Sequence, residues 1–268
     1  IKLVAPRRTK MAKNLIEIEA DGFSCKRKED ICFLDLNQNS IGILTRRDVK
    51  DQFISTLKKI DESKNIRGIV IANSPTYKGD LELKNLLAYF SKVFRSRIED
   101  REVNLFQHAT SQVIDIFINY TKPTIAAMRG DIGEYLFTLS LTCDFRFATS
   151  NTLFHFPSIK LGLPPPGVMA YYLIQYIGRQ RATDLLLTKT SLSASEAKDL
   201  GLLNGVTENE NLIADCIEKL NVINQHPSHG IAAVKNILNP NSSDVTGIMN
   251  KAFEKFKLNL YTMKNKGD

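Results

Sequence analysis

The chain has 268 residues, 43% hydrophobic and 24% charged, an ordinary globular composition that suffices for one substantial core and contains no apolar run of membrane-spanning length. Cys25, Cys32, Cys143 and Cys216 follow neither a disulfide framework nor a metal-ligand spacing, and no secretory signal is visible, so a reducing cytoplasmic setting is expected. The net charge of +7 is partly carried by Lys2, Arg7, Arg8, Lys10 and Lys13; without aromatic interleaving or a nucleic-acid motif, residues 1–14 read as a solvated basic arm.

In chain order, residues 15–20, 23–26 and 31–36 read as strands separated by Asp21-Gly22 and a charged turn, an opening meander. Thr45 with Asp48 three residues on has the pattern of a capping box, and Val49, Phe53, Ile54, Leu57 and Ile60 then recur at helical spacing. Gly68-Ile69-Val70-Ile71-Ala72 is a continuous apolar run of the kind buried on both faces of a parallel sheet. Strand, helix and strand imply a right-handed crossover. Tyr77-Lys78-Gly79-Asp80-Leu81-Glu82-Leu83 reads as the following loop, and residues 103–120 as a periodic helix carrying His108.

The organising stretch is 122–144. Thr124 to Met128 suits a buried strand after a proline, Arg129 to Gly133 a turn with two glycines, and Glu134 onward a mostly apolar helix of weak amphipathicity. Backbone N–H groups at such a buried helix N-terminus have no intrahelical partner and are able to stabilise negative charge on a bound carbonyl oxygen. A strand at 144–148, a helix at about 169–177, a capping box at Ser193 and Glu196, and helices at 212–223, 228–238 and 242–263 complete the chain. His226 and His229 flank Pro227 without a third ligand, so no metal site is expected.

Lys122-Pro123-Thr124-Ile125-Ala126-Ala127 and the ungapped spacing from Gly130 to Cys143-Asp144 resemble the crotonase (enoyl-CoA hydratase/isomerase) superfamily. Phe154 to Gly162, Gly178 to Thr188 and Ala197 to Leu203 resemble further segments of that family, and the likeness runs from Leu15 to the end. The resemblance implies an α/β fold, the crotonase-like ββα superhelix, as a core over 15–208, with a C-terminal helical trimerisation module over 209–268. It implies oxyanion-hole N–H groups at Leu81 and Tyr135, an adenine-side loop at Gly79, and a C-terminal lysine such as Lys255 reaching coenzyme A phosphates. The two catalytic glutamates of the family fall on Thr138 and Ser158, whose hydroxyls offer hydrogen bonds but no net proton donation at neutral pH. Glu134 is a candidate substitute carboxylate, although a solvated helix-terminal glutamate is its commoner use. His108 is a candidate acid or base.

The implied substrate is an acyl thioester of coenzyme A or an acyl carrier protein, with coenzyme A as part of the substrate and no tightly bound cofactor. A homo-oligomer, a trimer or a dimer of trimers, is expected, with neither a membrane nor a nucleic-acid partner. Isomerisation or decarboxylation through an enolate suits these residues better than hydration, which the family performs with two glutamates. The alternative is a thioester-binding or scaffolding paralogue without catalysis. A serine peptidase of the same fold class is disfavoured, because Ser140 lies mid-helix rather than in an exposed turn.

Overall fold

The computed structural model describes residues 17–95, 99–239 and 242–266, so the basic arm assigned to 1–14 lies outside the described residues. The meander is β1 (Glu17–Ala20), β2 (Phe23–Lys28) and β3 (Ile31–Leu36), followed by α1 (Gly42–Thr45), α2 (Arg47–Glu62) and β4 (Gly68–Asn73). Next come α3 (Gly79–Arg95), α4 (Glu99–Ile118), β5 (Thr124–Met128), β6 (Asp131–Ile132), α5 (Glu134–Leu141), β7 (Phe145–Thr149) and β8 (Leu153–His155). A 3-10 turn at Ser158–Leu161 precedes α6 (Met169–Thr188), β9 (Ser191–Ser193), α7 (Ala194–Asp199) and β10 (Gly205–Thr207). The described chain closes with α8 (Leu212–Ile223), α9 (Ser228–Leu238) and α10 (Ser242–Lys266).

The main sheet runs β1-β2-β3-β4-β5-β7-β10, antiparallel through the meander and parallel from β3 onward; β6-β8-β9 form a small second sheet. Every residue of β4 and β5 is buried, which is why these strands read as unbroken apolar runs. Phe53, Leu57 and Ile60 of α2 and Phe117 of α4 belong to the main core with Ile69 and Ile71, while Leu212, Cys216 and Leu220 of α8 cover the opposite side at Val70 and Ile125. This is the α/β layering expected. Among the described residues no helix is long and apolar enough to cross a membrane.

Some local expectations fail for identifiable reasons. The Thr45 capping box does not form: α1 already ends at Thr45, whose hydroxyl donates to the Ile41 carbonyl, and Asp48 pairs instead with Arg46. The Ser193 box does form, with both reciprocal bonds to Glu196. The expected helix over 169–177 continues to Thr188 after a kink at Gly178, where φ is +77°. Most consequential is the segment after β4. Residues 79–83 are not loop but the first turn of α3.

That turn is held from outside by α10. Phe253, Phe256 and Leu260 pack with Leu83, Leu86 and Phe90 of α3 and Phe106 of α4, the Phe256 ring lying 5.7 Å from Phe90 and 5.9 Å from Phe106. From inside it meets backbone. A Cβ added to Gly79 would sit 2.5 Å from the Gly133 nitrogen and 2.6 Å from the Ile132 carbonyl carbon, neither of which is the end of a flexible side chain. Gly79→Ala is therefore expected to cost about 2 kcal/mol or more, as overpacking against a rigid neighbour does. Urea denaturation of the variant measures it, and an unchanged midpoint would show that the α3 turn does not press on the strand-to-helix turn.

Candidate functional site

The N-terminus of α5 is where the sheet delivers backbone donors to the interior. Gly133 is its N-cap, in extended conformation, and having no side chain it supplies no cap of its own. The first N–H groups therefore need partners from elsewhere. Tyr135 N–H donates to Glu82 Oε2 at 2.7 Å and Leu136 N–H to Glu82 Oε1 at 3.0 Å. Tyr77 hydroxyl donates to Glu82 Oε1 at 2.8 Å while accepting the Gly133 N–H at 3.2 Å. A carboxyl from the first turn of α3 thus caps α5.

Glu82 is only 7% exposed. Burial pushes its carboxyl up to about 7, against the pull of the Tyr135, Tyr77 and Leu136 donors. The fit requires glycine opposite: a Cβ at position 133 would lie 2.3 Å from Glu82 Oε2. Burial, and then the neighbouring Glu82, raise the Tyr77 hydroxyl well above its ordinary value, so it stays a donor.

A second carboxyl lies on the adjacent residue. Glu134 is 3% exposed rather than solvated, and its Oε2 accepts both the hydroxyl of Ser158 and, at 3.3 Å, the Ser158 N–H. Burial raises this carboxyl to about 7, with the Ser158 bonds opposing. It borders an apolar cavity of about 260 Å³ shared with Phe156, Ile159, Pro165 and Leu186. Ser158 is thereby tied to a carboxyl at the position where the resemblance places a glutamate. The Thr138 hydroxyl is spent on the Glu134 carbonyl in its own helix, and its methyl faces Gly167.

The remaining expectations fare differently. The Leu81 N–H donates to the Lys78 carbonyl at 3.1 Å, so as placed it is not a free oxyanion donor; the turn of α3 has consumed it. Gly79 lies against the α5 cap rather than along an open loop. The Tyr135 ring packs edge-on to Phe106 at 6.2 Å, and the spaces it lines measure only about 30 and 60 Å³. His108 is exposed on α4 and borders a different cavity, with Asp115, Val245 and Met249, that shares no residue with the one beside Glu134. Lys255 is on the exposed side of α10. Ser140 donates to the Phe137 carbonyl within α5. Among the described residues no group of three or more His, Cys, Asp or Glu is arranged to hold a metal ion. Sequence reasoning missed Tyr77 and Glu82, whose only signal was an acidic residue in what turned out to be a helical first turn.

The family model described as Enoyl-CoA hydratase/isomerase matches residues 28–266. A probable enoyl-CoA hydratase of Mycobacterium bovis is 24% identical over 220 residues, covering 80% of this chain and 79% of that protein. An enoyl-CoA isomerase/hydratase of Mycosarcoma maydis is 31% identical over 151 residues, 56% of this chain and about half, 52%, of its own length. The crystal structure of an enoyl-CoA hydratase from Bacillus halodurans superposes with a TM-score of 0.74 at 20% identity, covering 89% of this chain and 95% of that one, a likeness of fold.

The two raised carboxyls set a pH dependence of stability. In the unfolded chain each loses its proton near 4.5, whereas folded each holds it to about 7. The folded state therefore binds more protons between those values, and stability is fully present below 4.5 and declines as pH rises through 7. A shift of that size corresponds to roughly 3 kcal/mol per carboxyl. Urea denaturation at stepped pH is expected to show this decline, flattened in part by Glu82→Gln and by Glu134→Gln; a profile identical in both variants would contradict it.

Proposed function

The chain belongs to the enoyl-CoA hydratase/isomerase family, whose model spans residues 28–266, and from that premise we propose that it isomerises or decarboxylates an acyl thioester of coenzyme A or an acyl carrier protein through an enolate. The observation that carries this reading is Glu134, a buried carboxyl held by Ser158 beside an apolar cavity of about 260 Å³ and raised to about 7. A proton carrier works best with a pKa near the working pH.

In an isomerisation, Glu134 as carboxylate takes a proton from one carbon of the acyl chain and returns it to another, so one carboxyl serves both transfers. In a decarboxylation, carbon dioxide leaves first and Glu134 as acid supplies the proton that quenches the enolate. Either way negative charge gathers on the thioester oxygen, and the Tyr135 and Leu136 N–H groups, which diverge from the Leu81 and Tyr135 pair implied by the family and which both donate to Glu82 at rest, are the donors that hold it once released. Ser158 and Thr138 position and line rather than transfer protons. Hydration with two carboxyls acting on one water has less support, since Thr138 contributes no proton.

A second reading, a thioester-binding or scaffolding protein without catalysis, is favoured by the small spaces around the Tyr135 ring and by the occupied Tyr135 N–H. Incubation with crotonyl-CoA in deuterium oxide, followed by mass spectrometry of the acyl group, separates the two. Deuterium incorporation that falls about a hundredfold in Glu134→Gln supports the enzyme. Binding without incorporation supports the receptor, and absence of binding in every variant, including those of Glu82, overturns the thioester reading.

We further propose self-association, as the family implies. α9 exposes Val234, Ile237 and Leu238 at 56%, 81% and 77%, Val234 and Leu238 bordering an open cavity of about 860 Å³ with Phe145 and Tyr176, an apolar surface suited to cover by another chain. Light scattering is expected to give three or six times the mass of one chain, reduced by Ile237→Asp; a monomer at micromolar concentration would contradict it.

A further inference from the structure

The α5 terminus already contains what a substrate would have to bring. Two backbone N–H groups converge on the two oxygens of Glu82, at 2.7 and 3.0 Å, and Tyr77 closes the network at 2.8 Å. Among the described residues no cation contributes to it. The carboxyl is enclosed by the α5 terminus, by Tyr77 and by the glycine at position 133, which alone leaves room for it.

We propose that Glu82 is an internal ligand of the oxyanion site, so that a thioester carbonyl binds only when the first turn of α3 withdraws this carboxyl; the inference rests on the thioester reading above for the identity of the displacing group.

Three features argue for displacement rather than coexistence. The Tyr135 and Leu136 N–H groups each have one hydrogen to give, and Glu82 uses both. Its side chain also borders the small space of about 60 Å³ beside Tyr135 and Leu136, leaving no volume there for an acyl group until it moves. A neutral thioester oxygen is a weaker acceptor than a carboxylate, so it does not share these donors with Glu82 and binds only after the carboxyl has left. The moving part is the first turn: Glu82 is the fourth residue of α3, and although a shift carries Leu83 off its α10 packing, the helix stays anchored further along by Leu86 and Phe90. The site is therefore self-occupied at rest, and the affinity for an external ligand is lowered by the fraction of time the turn is open.

The test empties the site and refills it. Glu82→Ala removes the carboxyl and leaves two N–H groups facing a cavity, which acetate or formate matches in chemistry and size. Thermal unfolding followed against acetate concentration is expected to show stabilisation of Glu82→Ala and none of the parent protein. Absence of acetate stabilisation in Glu82→Ala overturns the proposal, as does equal stabilisation of the parent protein. Acetyl-CoA calorimetry supplies the second arm, with an expected gain of about tenfold or more in affinity over the parent protein. Should Glu82→Ala not fold, Glu82→Gln serves in the acetyl-CoA arm alone: it keeps the volume, so no acetate site opens, but it substitutes an amide nitrogen for one acceptor, and a gain in acetyl-CoA affinity over the parent protein is expected. An affinity for acetyl-CoA equal in parent and variant overturns gating by Glu82. Acetate stabilisation of the variant with no acetyl-CoA binding by either protein overturns the thioester reading and the displacing group with it, while upholding Glu82 as the internal ligand.

Discussion

The contact on which the rest of this architecture turns is the carboxyl of Glu82 on the first N–H groups of α5. A helix that begins inside a protein has donors that water cannot reach, and leaving one unpaired costs about 1–3 kcal/mol. Here the strand β5 and the turn through Gly130 aim those donors inward, and Gly133 has no side chain with which to cap them. The solution comes from a residue 53 positions upstream. Once that carboxyl is required, Gly79 and Gly133 are required as well, since a methyl at either position would collide with the opposing turn or with Glu82 itself.

Two adjacent carboxyls have been given different work by their surroundings. Glu82 faces backbone donors and a tyrosine, so at rest it is held as an acceptor. Glu134 has one hydroxyl and one long N–H contact, both from Ser158, and an apolar cavity on its open side. Burial raises both to about 7, yet only the second has space beside it for something to react. Environment, more than residue type, separates a capping group from a candidate proton carrier.

The fold was legible in the sequence because its signals are local or periodic. The unbroken apolar run of β4, the spacing of Val49, Phe53, Leu57 and Ile60 on α2, and the box at Ser193 and Glu196 each act within a few residues. The family motif around 122–144 placed α5 and its glycine turn. Glu82 escaped notice because its partners are long-range: nothing in Tyr77 to Leu83 alone tells a loop that binds a ligand from a helical turn that replaces one. The same applies to Glu134, which is buried and whose carboxyl finds its partner in Ser158, 24 residues away. The Thr45 box failed for the opposite reason, a preceding turn that used the hydroxyl first.

The most direct measurement is amide hydrogen exchange at Tyr135 and Leu136. Amides at the start of a helix ordinarily exchange quickly, having no acceptor within the helix. The account predicts that both are strongly protected in the unliganded protein, and that protection falls in Glu82→Ala without comparable loss along the rest of α5. Fast exchange of both amides in the parent protein would show that Glu82 does not hold the α5 terminus and would contradict the account.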